Sequence, residues 1–183
     1  MNTTEIVAGT EDPVSRPWGA KAAILTGVLA IVLSVDLATK LMIQRNFHLY
    51  QQVDIIGDYL RLTYIHNPGA AFGIHVGDYS RYIFLGLSVI ALGALAAMYW
   101  VTPVRDKVRL FSISLICAGA IGNLLDRIRD HRGVVDFLDV GLGDLRWPVF
   151  NVADIAVTTG AILLALSLWR EEQTADNADV GQS

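Results

Sequence analysis

Two amides and two carboxylates stand out at the ends of two apolar runs in the second half of the chain. Asn123 precedes Asp126 by three residues, and Asn151 precedes Asp154 by the same spacing. Residues three apart lie on one face of a helix, so each pair would present an amide beside a carboxylate. A short polar loop that carries Asp136 joins the two runs. Ionisable groups within apolar membrane-length segments are costly and mark candidate functional sites.

Two aspartates that share a partly dry site can perform acid–base chemistry. Because like charges close together do not both ionise easily, one pKa rises, so one carboxyl donates a proton while the other accepts one. Such a pair can activate water against a carbonyl and protonate the leaving amine. The two titrate as a unit, so the sequence does not say which is the acid. The Asn-x-x-Asp spacing alone nominates Asp126 and Asp154, with Asn123 and Asn151 orienting the carboxylates or holding the substrate backbone.

Other chemistries find less support in the sequence. The four histidines show no His-Glu-x-x-His or comparable ligand spacing, so we expect no metal and no cofactor. No Gly-x-Ser-x-Gly motif occurs, and Ser112 and Ser114 lie at the opposite end of their apolar run from the aspartates. A small proton-coupled transporter or binding protein that uses the aspartates as a relay is the alternative. The chain shows no internal repeat of the kind that transporter folds use.

The composition indicates an integral membrane protein. The chain has 183 residues, of which 53% are hydrophobic and 17% charged, and its mean hydropathy is +0.44. Ordinary soluble domains are less apolar. The net charge of −4 argues against a nucleic-acid partner, which would call for clustered basic residues. The one cysteine, Cys117, allows no internal disulfide and no cysteine-based metal site.

Four apolar runs have about the length that a helix needs to cross a bilayer. We predict an all-α integral membrane protein with one four-helix domain over residues 18–170. Its spans are placed at about 22–43, 82–101, 110–127 and 147–169. The tryptophans Trp18, Trp100, Trp147 and Trp169 all fall near span ends, where indole rings prefer to lie. Residues 1–17 and 171–183 are predicted to be disordered cytoplasmic tails.

The connections between spans predict further structure. Between helices one and two, residues 59–66 alternate like a strand and are followed by a turn at 67–73. We therefore expect a small extracytoplasmic β-sheet there, resting on the membrane. Between helices three and four, the glycine-rich end at 141–143 suggests a short mobile flap.

The charge distribution gives a divided indication of orientation. The short loop between helices two and three carries Arg105, Lys107 and Arg109, which favours the cytoplasm and places both termini there. In that orientation, however, only six of the 14 Lys and Arg residues lie inside and eight lie outside. Several of the outer cations belong to the polar cluster, where a site can account for them.

Four sequence blocks give the chain a family resemblance. They are Asp36-Leu-Ala-Thr-Lys40, Asn67-Pro-Gly-Ala-Ala-Phe72, Gly119–Arg127 with Val134–Phe137, and Phe150-Asn-Val-Ala-Asp154. In this order, and at these places relative to four spans, the blocks resemble the lipoprotein signal peptidases, the type II signal peptidases of bacteria. The resemblance covers roughly Ser34 to Gly160. Leu37 stands where the family usually has glutamine.

The resemblance changes the choice of catalytic pair. The family's catalytic aspartates match Asp136 and Asp154, which leaves Asp126 to pair with Arg127 or to order the turn. Arg127 can equally anchor the phosphate of a lipid head group. The supporting or substrate-binding residues that the resemblance implies are Asp36, Lys40, Asn67, Gly69, Asn123, Asp126, Arg127 and Asn151.

The resemblance also implies an activity. It is that of an intramembrane aspartic endopeptidase, which removes the signal peptide of a diacylglyceryl-modified prolipoprotein by cleaving before the lipid-modified cysteine. The expected partners are these prolipoproteins and membrane lipids. The expected location is the bacterial cytoplasmic membrane, with the site near the outer face and the enzyme a monomer.

Some polar residues have simpler interpretations. Asp139 and Asp144 are expected to be solvated loop carboxylates, since most loop aspartates are exposed. Asp36 and Lys40, four residues apart on helix one, can be only a structural ion pair or can support the site.

Overall fold

The protein is described by a computed structural model over residues 17–69 and 79–180. In chain order its elements are α1 (Pro17–Asn46), β1 (Gln52–Ile56), β2 (Leu60–Asn67), α2 (Ser80–Val101), α3 (Lys107–Arg129), β3 (Val134–Leu142), β4 (Leu145–Arg146) and α4 (Val152–Val180). Most of the predicted amino-terminal tail, the second half of the predicted 67–73 turn and residues 181–183 lie outside the described residues.

All four described helices are long and apolar enough to cross a membrane. The qualifying segments are Trp18–Asn46, Ser80–Val101, Lys107–Arg129 and Val152–Gln173. Their mean hydropathies lie between 1.7 and 2.1, so the apolar surface that they expose is compatible with the hydrocarbon core of a bilayer. The prediction of four helices with the length and hydropathy of membrane spans is confirmed.

The start and the end of α4 differ from the predicted span. The helix begins at Val152 rather than at Trp147, because Pro148 favours an extended conformation at the residue before it and Phe150 bridges to Leu138 of β3. The backbone stays helical to Val180, where the sequence predicts disorder from residue 171 onward.

Helix α3 lies at the centre of the bundle and contacts each of the other three helices. Glycines in α3 permit its close approach to α1 and α4. A Cβ built at Gly119 would overlap the carbonyl oxygen of Ala153 in α4, and one at Gly122 would lie 2.8 Å from a carboxylate oxygen of Asp36 in α1. The polar end of α3 is therefore held directly against the ends of α1 and α4.

The sheet has four antiparallel strands in the order β1-β2-β3-β4. The predicted flap between helices three and four is wrong, because that segment supplies β3 and β4. Its apolar side chains Val135 and Phe137 are only 3% exposed and pack with Ile43 of α1 and Tyr64 of β2. Burial of this face outweighs the glycines that suggested mobility, so Asp136 stands on a central strand.

A bulge interrupts β2 beside Asp136. Leu62 pairs with Leu138 and Ile65 pairs with Asp136. Between these two pairs β2 advances by three residues and β3 by two, so β2 contains one extra residue. Bulges bend a strand and redirect its side chains, and they are frequent next to active sites. Beyond the bulge, Asn67 at the end of β2 pairs with Val134.

Replacing Gly119 by alanine should loosen the contact between α3 and α4. The added methyl group has no space beside Ala153, and overpacking of this kind costs about 1–3 kcal/mol. We expect a lower thermal unfolding midpoint for Gly119→Ala in detergent. Gly93→Ala is the matched control, because a Cβ there meets nothing within 4 Å. Equal midpoints for the two variants would contradict the tight packing.

Candidate active site

Asn151 and Asp154 build the first turn of α4. The side-chain oxygen of Asn151 accepts the backbone N–H of Asp154 at 3.0 Å, and a carboxylate oxygen of Asp154 accepts the backbone N–H of Asn151 at 3.1 Å. This reciprocal arrangement is a capping box. The second Asn-x-x-Asp pair is thus a helix start rather than a pair within a span. It fixes the Asp154 carboxyl at the end of the helix that faces the sheet.

One residue, Asn151, links the two carboxyls. Nδ2 of Asn151 donates to Asp136 at 2.7 Å, while the backbone of the same residue binds Asp154. Asn67 at the end of β2 donates to the other oxygen of Asp136 at 2.9 Å. Asn123 of α3 donates to the other oxygen of Asp154 at 2.8 Å. Each carboxyl therefore receives a hydrogen bond on both oxygens, and four separate elements fix the pair.

Asp136 is 1% exposed. Burial, and after it the negative charge of Asp154, raise the pKa of Asp136 to about 7, against the opposing hydrogen bonds from Asn67 and Asn151. A carboxyl with such a pKa holds a proton over part of the neutral range and releases it readily. The pair can therefore supply an acid and a base without an added group.

A second layer of charges lies behind the amides. Lys40 of α1 is 2% exposed and donates to Asp36 at 2.7 Å, to Asp126 of α3 at 2.8 Å and to Asn123 at 3.3 Å. The other oxygen of Asp36 accepts the backbone N–H of Ala153 at 3.0 Å. A carboxylate of α1 thus also caps α4, which joins three helices at the site.

Arg127 holds the turn that follows β2. Its guanidinium donates to the carbonyl of Gly69 at 2.8 Å, and the N–H of Gly69 donates to Asn67 at 3.0 Å. The predicted pairing of Asp126 with Arg127 is wrong. Neighbouring residues on a helix do not face each other, so Asp126 points to Lys40 of α1 while Arg127 points to the turn.

The ten residues predicted from the sequence and the resemblance form one connected network of hydrogen bonds and ion pairs. They are Asp36, Lys40, Asn67, Gly69, Asn123, Asp126, Arg127, Asp136, Asn151 and Asp154. Within the two described ranges, no group of three or more His, Cys, Asp or Glu is arranged to hold a metal ion.

Asp139 has a structural role that its place in the sequence did not indicate. This residue is 4% exposed and accepts hydrogen bonds from Thr63 of β2 at 2.8 Å and from Arg146 of β4 at 2.6 Å, so its prediction as a solvated carboxylate is wrong. It ties three strands together three residues beyond Asp136. The available signal was the opposite charge of Arg146 across the Gly143 hairpin. Asp144 in that hairpin is exposed, as expected.

The titration of Asp136 provides a direct measurement. Because its pKa is raised, the carboxyl should be protonated below about pH 7 and ionised above it, whereas ordinary aspartate loses its proton near pH 4. Infrared difference spectra should show a protonated carboxyl band that disappears near neutral pH. The band should be absent in Asp136→Asn and present in the control Asp144→Asn. A band that is lost near pH 4 would contradict the raised pKa.

Comparisons with known proteins agree on one family. Residues 28–170 match the family model described as signal peptidase II. A lipoprotein signal peptidase of Geobacter metallireducens is 42% identical over 159 residues, which cover 84% of this chain and 96% of the relative. Another, from Moorella thermoacetica, is 43% identical over 139 residues, which cover 75% and 87%.

Solved structures give the same result for the fold. A bacterial membrane enzyme determined by the in meso method aligns with a TM-score of 0.72 at 30% identity, covering 85% of this chain and 91% of that chain. A second in meso structure of a bacterial membrane enzyme has a TM-score of 0.67 at 31% identity. In each case most of both chains is aligned.

Proposed function

The chain belongs to the signal peptidase II family, and we propose that it is an aspartic endopeptidase that removes signal peptides from lipid-modified prolipoproteins. Relatives named lipoprotein signal peptidase align with this chain over most of their own length, so the similarity is not confined to one part of those enzymes. The observation that supports this most directly is at Asn151, whose side-chain amide donates to Asp136 while its backbone N–H donates to Asp154, so that one residue joins the two carboxyls. The comparisons do not favour the transporter alternative.

Peptide hydrolysis follows from the two carboxyls. Asp136, which holds a proton near neutral pH, donates a hydrogen bond to the scissile carbonyl and polarises it. Asp154 removes a proton from a water molecule, whose oxygen attacks the carbonyl carbon. The carbon–nitrogen bond then breaks as a proton passes to the leaving amine, and the pair returns to its starting state. Asn67 and Asn123 keep the outer carboxyl oxygens in place during the exchange.

The position of the pair suits a substrate that is anchored in lipid. One end of the bundle carries the sheet. The same end contains the carboxyl ends of α1 and α3 and the amino ends of α2 and α4. A diacylglyceryl group and an apolar signal helix stay in the bilayer, so a site at this end is reached by lateral diffusion. Water reaches the same end, which hydrolysis requires. The bond before the lipid-modified cysteine, which the family resemblance implies is the one cleaved, would lie at the membrane surface in such a substrate.

We also propose an orientation in the bacterial cytoplasmic membrane. The end with the sheet faces outward, while both termini and the basic loop between α2 and α3 face the cytoplasm. The support is the positive-inside tendency of that loop, which contains Arg105, Lys107 and Arg109. An outward site also meets precursors whose mature part has already crossed the membrane.

Replacing either carboxyl group by an amide should strongly slow cleavage. A purified precursor that carries a diacylglyceryl-modified cysteine is incubated with the wild type, Asp136→Asn and Asp154→Asn, and release of the signal peptide is followed by mass spectrometry. We expect each variant to lose about 10²- to 10⁴-fold in rate, the usual contribution of one acid or base. Asp144→Asn, which changes an exposed aspartate in the same hairpin, should cleave normally.

Two outcomes of this experiment would overturn the assignment. Near-normal turnover by Asp136→Asn or Asp154→Asn would remove that residue from catalysis and would make Asp126 the next candidate. Equal cleavage of a precursor without the lipid would contradict the proposed substrate class.

Accessible cysteines can test the orientation. In a Cys117→Ala background, Asp144→Cys should react with a membrane-impermeant maleimide on intact spheroplasts, because Asp144 lies on the proposed outer side. Arg105→Cys should react only after permeabilisation. Both positions are exposed, so access and not burial decides the result. The reverse labelling pattern would contradict the proposed orientation.

A further inference from the structure

A cavity of about 200 Å³ lies on the side of the bundle where α1 and α3 end. Leu37, Lys40, Leu41 and Gln44 line it from one face of α1. The last turn of α3 and the chain entering β3 close the other sides. Asp136 and Asp154 do not line this cavity, and the buried pair of Lys40 and Asp126 separates it from Asn123 and the catalytic carboxyls. It is therefore a different site from the proposed catalytic one.

The inner end of the cavity carries excess negative charge. Lys40 is shared by Asp36 and Asp126, so the formal charges of these three side chains sum to −1. The side chain of Asp126 is 15% exposed and lines the cavity, so one of its oxygens can accept a further donor. Asp130, also in the lining, is neutralised by its ion pair with Arg132 at 2.6 Å. The inner end thus suits a small group with several N–H donors and a positive charge.

The outer end carries an unused positive charge. Arg129 lines the cavity, is exposed, and has no ion pair with any residue in the ranges 17–69 and 79–180. It follows Asp126 by three residues on α3, a spacing that places two side chains about 5–6 Å apart. A ligand that matches both ends carries a cation and an anion separated by about one helical turn.

One wall of the cavity is apolar and continues along the membrane helix. Leu37 and Leu41 are 40% and 37% exposed and lie one turn apart on α1, with Leu37 on the side of the bilayer interior. Gln44 lies one turn further toward the sheet and offers a neutral hydrogen-bonding amide. The wall thus combines an apolar surface, which suits an acyl chain, with a polar amide nearer the sheet.

We propose that this cavity binds the head group of an ethanolamine phospholipid from the surrounding leaflet, with the phosphate at Arg129 and the ammonium at Asp126. The volume equals that of about seven water molecules at ~30 Å³ each, which is the scale of one such head group. An ethanolamine ammonium donates three hydrogen bonds to carboxylate oxygens. A choline group has no N–H to donate, and a glycerol head group carries no cation for Asp126.

Native mass spectrometry of the full chain can test this assignment. The protein is exposed in detergent to an equimolar mixture of ethanolamine, choline and glycerol phospholipids with identical acyl chains. We expect the wild type to retain the ethanolamine lipid about tenfold over the other two, as one charge-assisted hydrogen bond provides. Arg129→Gln should lower the retention of all three lipids, because they share the phosphate, whereas Asp126→Asn should remove the preference for the ethanolamine lipid. Arg45→Gln, an exposed arginine at the end of α1 outside the cavity, should bind like the wild type.

Three results would overturn the proposal. One is equal retention of the three lipids by the wild type. Another is an equal loss in Arg45→Gln and Arg129→Gln, which would indicate a general surface charge effect. The third is displacement of the lipid by soluble glycerophosphoethanolamine at matched concentration, which would make the ligand a free phosphate ester. Thermal midpoints of both variants should match the wild type, since both arginines are exposed and unpaired among the described residues.

Discussion

The structure depends on holding four carboxyl groups away from water at one end of a bundle of membrane-length helices. Asp36, Asp126, Asp136 and Asp154 lie within one network whose cations, among the residues that the structure describes, are Lys40 and Arg127. Burying an unpaired charge costs several kcal/mol, so the remaining charge must be carried by hydrogen bonds or removed by a proton. Asparagine side chains and the free N–H groups of α4 provide the hydrogen bonds, and Asp136 takes up the proton. The protonated carboxyl that hydrolysis needs is thus a result of the network having fewer cations than carboxyl groups.

The two catalytic candidates come from different kinds of element. Asp154 is fixed by a helix start, whose position follows from the capping box with Asn151. Asp136 is fixed by a central strand, whose position follows from packing against α1 and β2 and from the clamp that Asp139 makes with Arg146. Because Phe150 pairs with the strand just before α4 begins, the two elements cannot move independently. A small sheet and a helix end together give the rigidity that a pair of carboxyls requires.

Hydropathy predicted the four helices because a bilayer imposes a length that few other structures share. It did not predict where α4 begins, since Trp147 and Phe150 are as apolar as the helix that follows. The strand of Asp136 was missed for a related reason: Gly141 and Gly143 suggested mobility, whereas burial of Phe137 decides the local structure. The spacing of Asn151 and Asp154 was noticed, but its meaning as a helix cap requires the backbone. The choice of Asp136 over Asp126 came from the family resemblance, because loop position alone gave it no priority.

Lys40 has a consequence for how this sequence can change over evolutionary time. Two carboxylates depend on it, so its loss alone would leave Asp36 and Asp126 facing each other without a cation. Loss of Asp36 alone would also remove a cap from α4. Substitutions at these three positions are therefore not independent, and their effects on stability do not add. A neutral change at one of these three positions requires a compensating change at another. Homologous chains should therefore differ at all three positions together or keep all three.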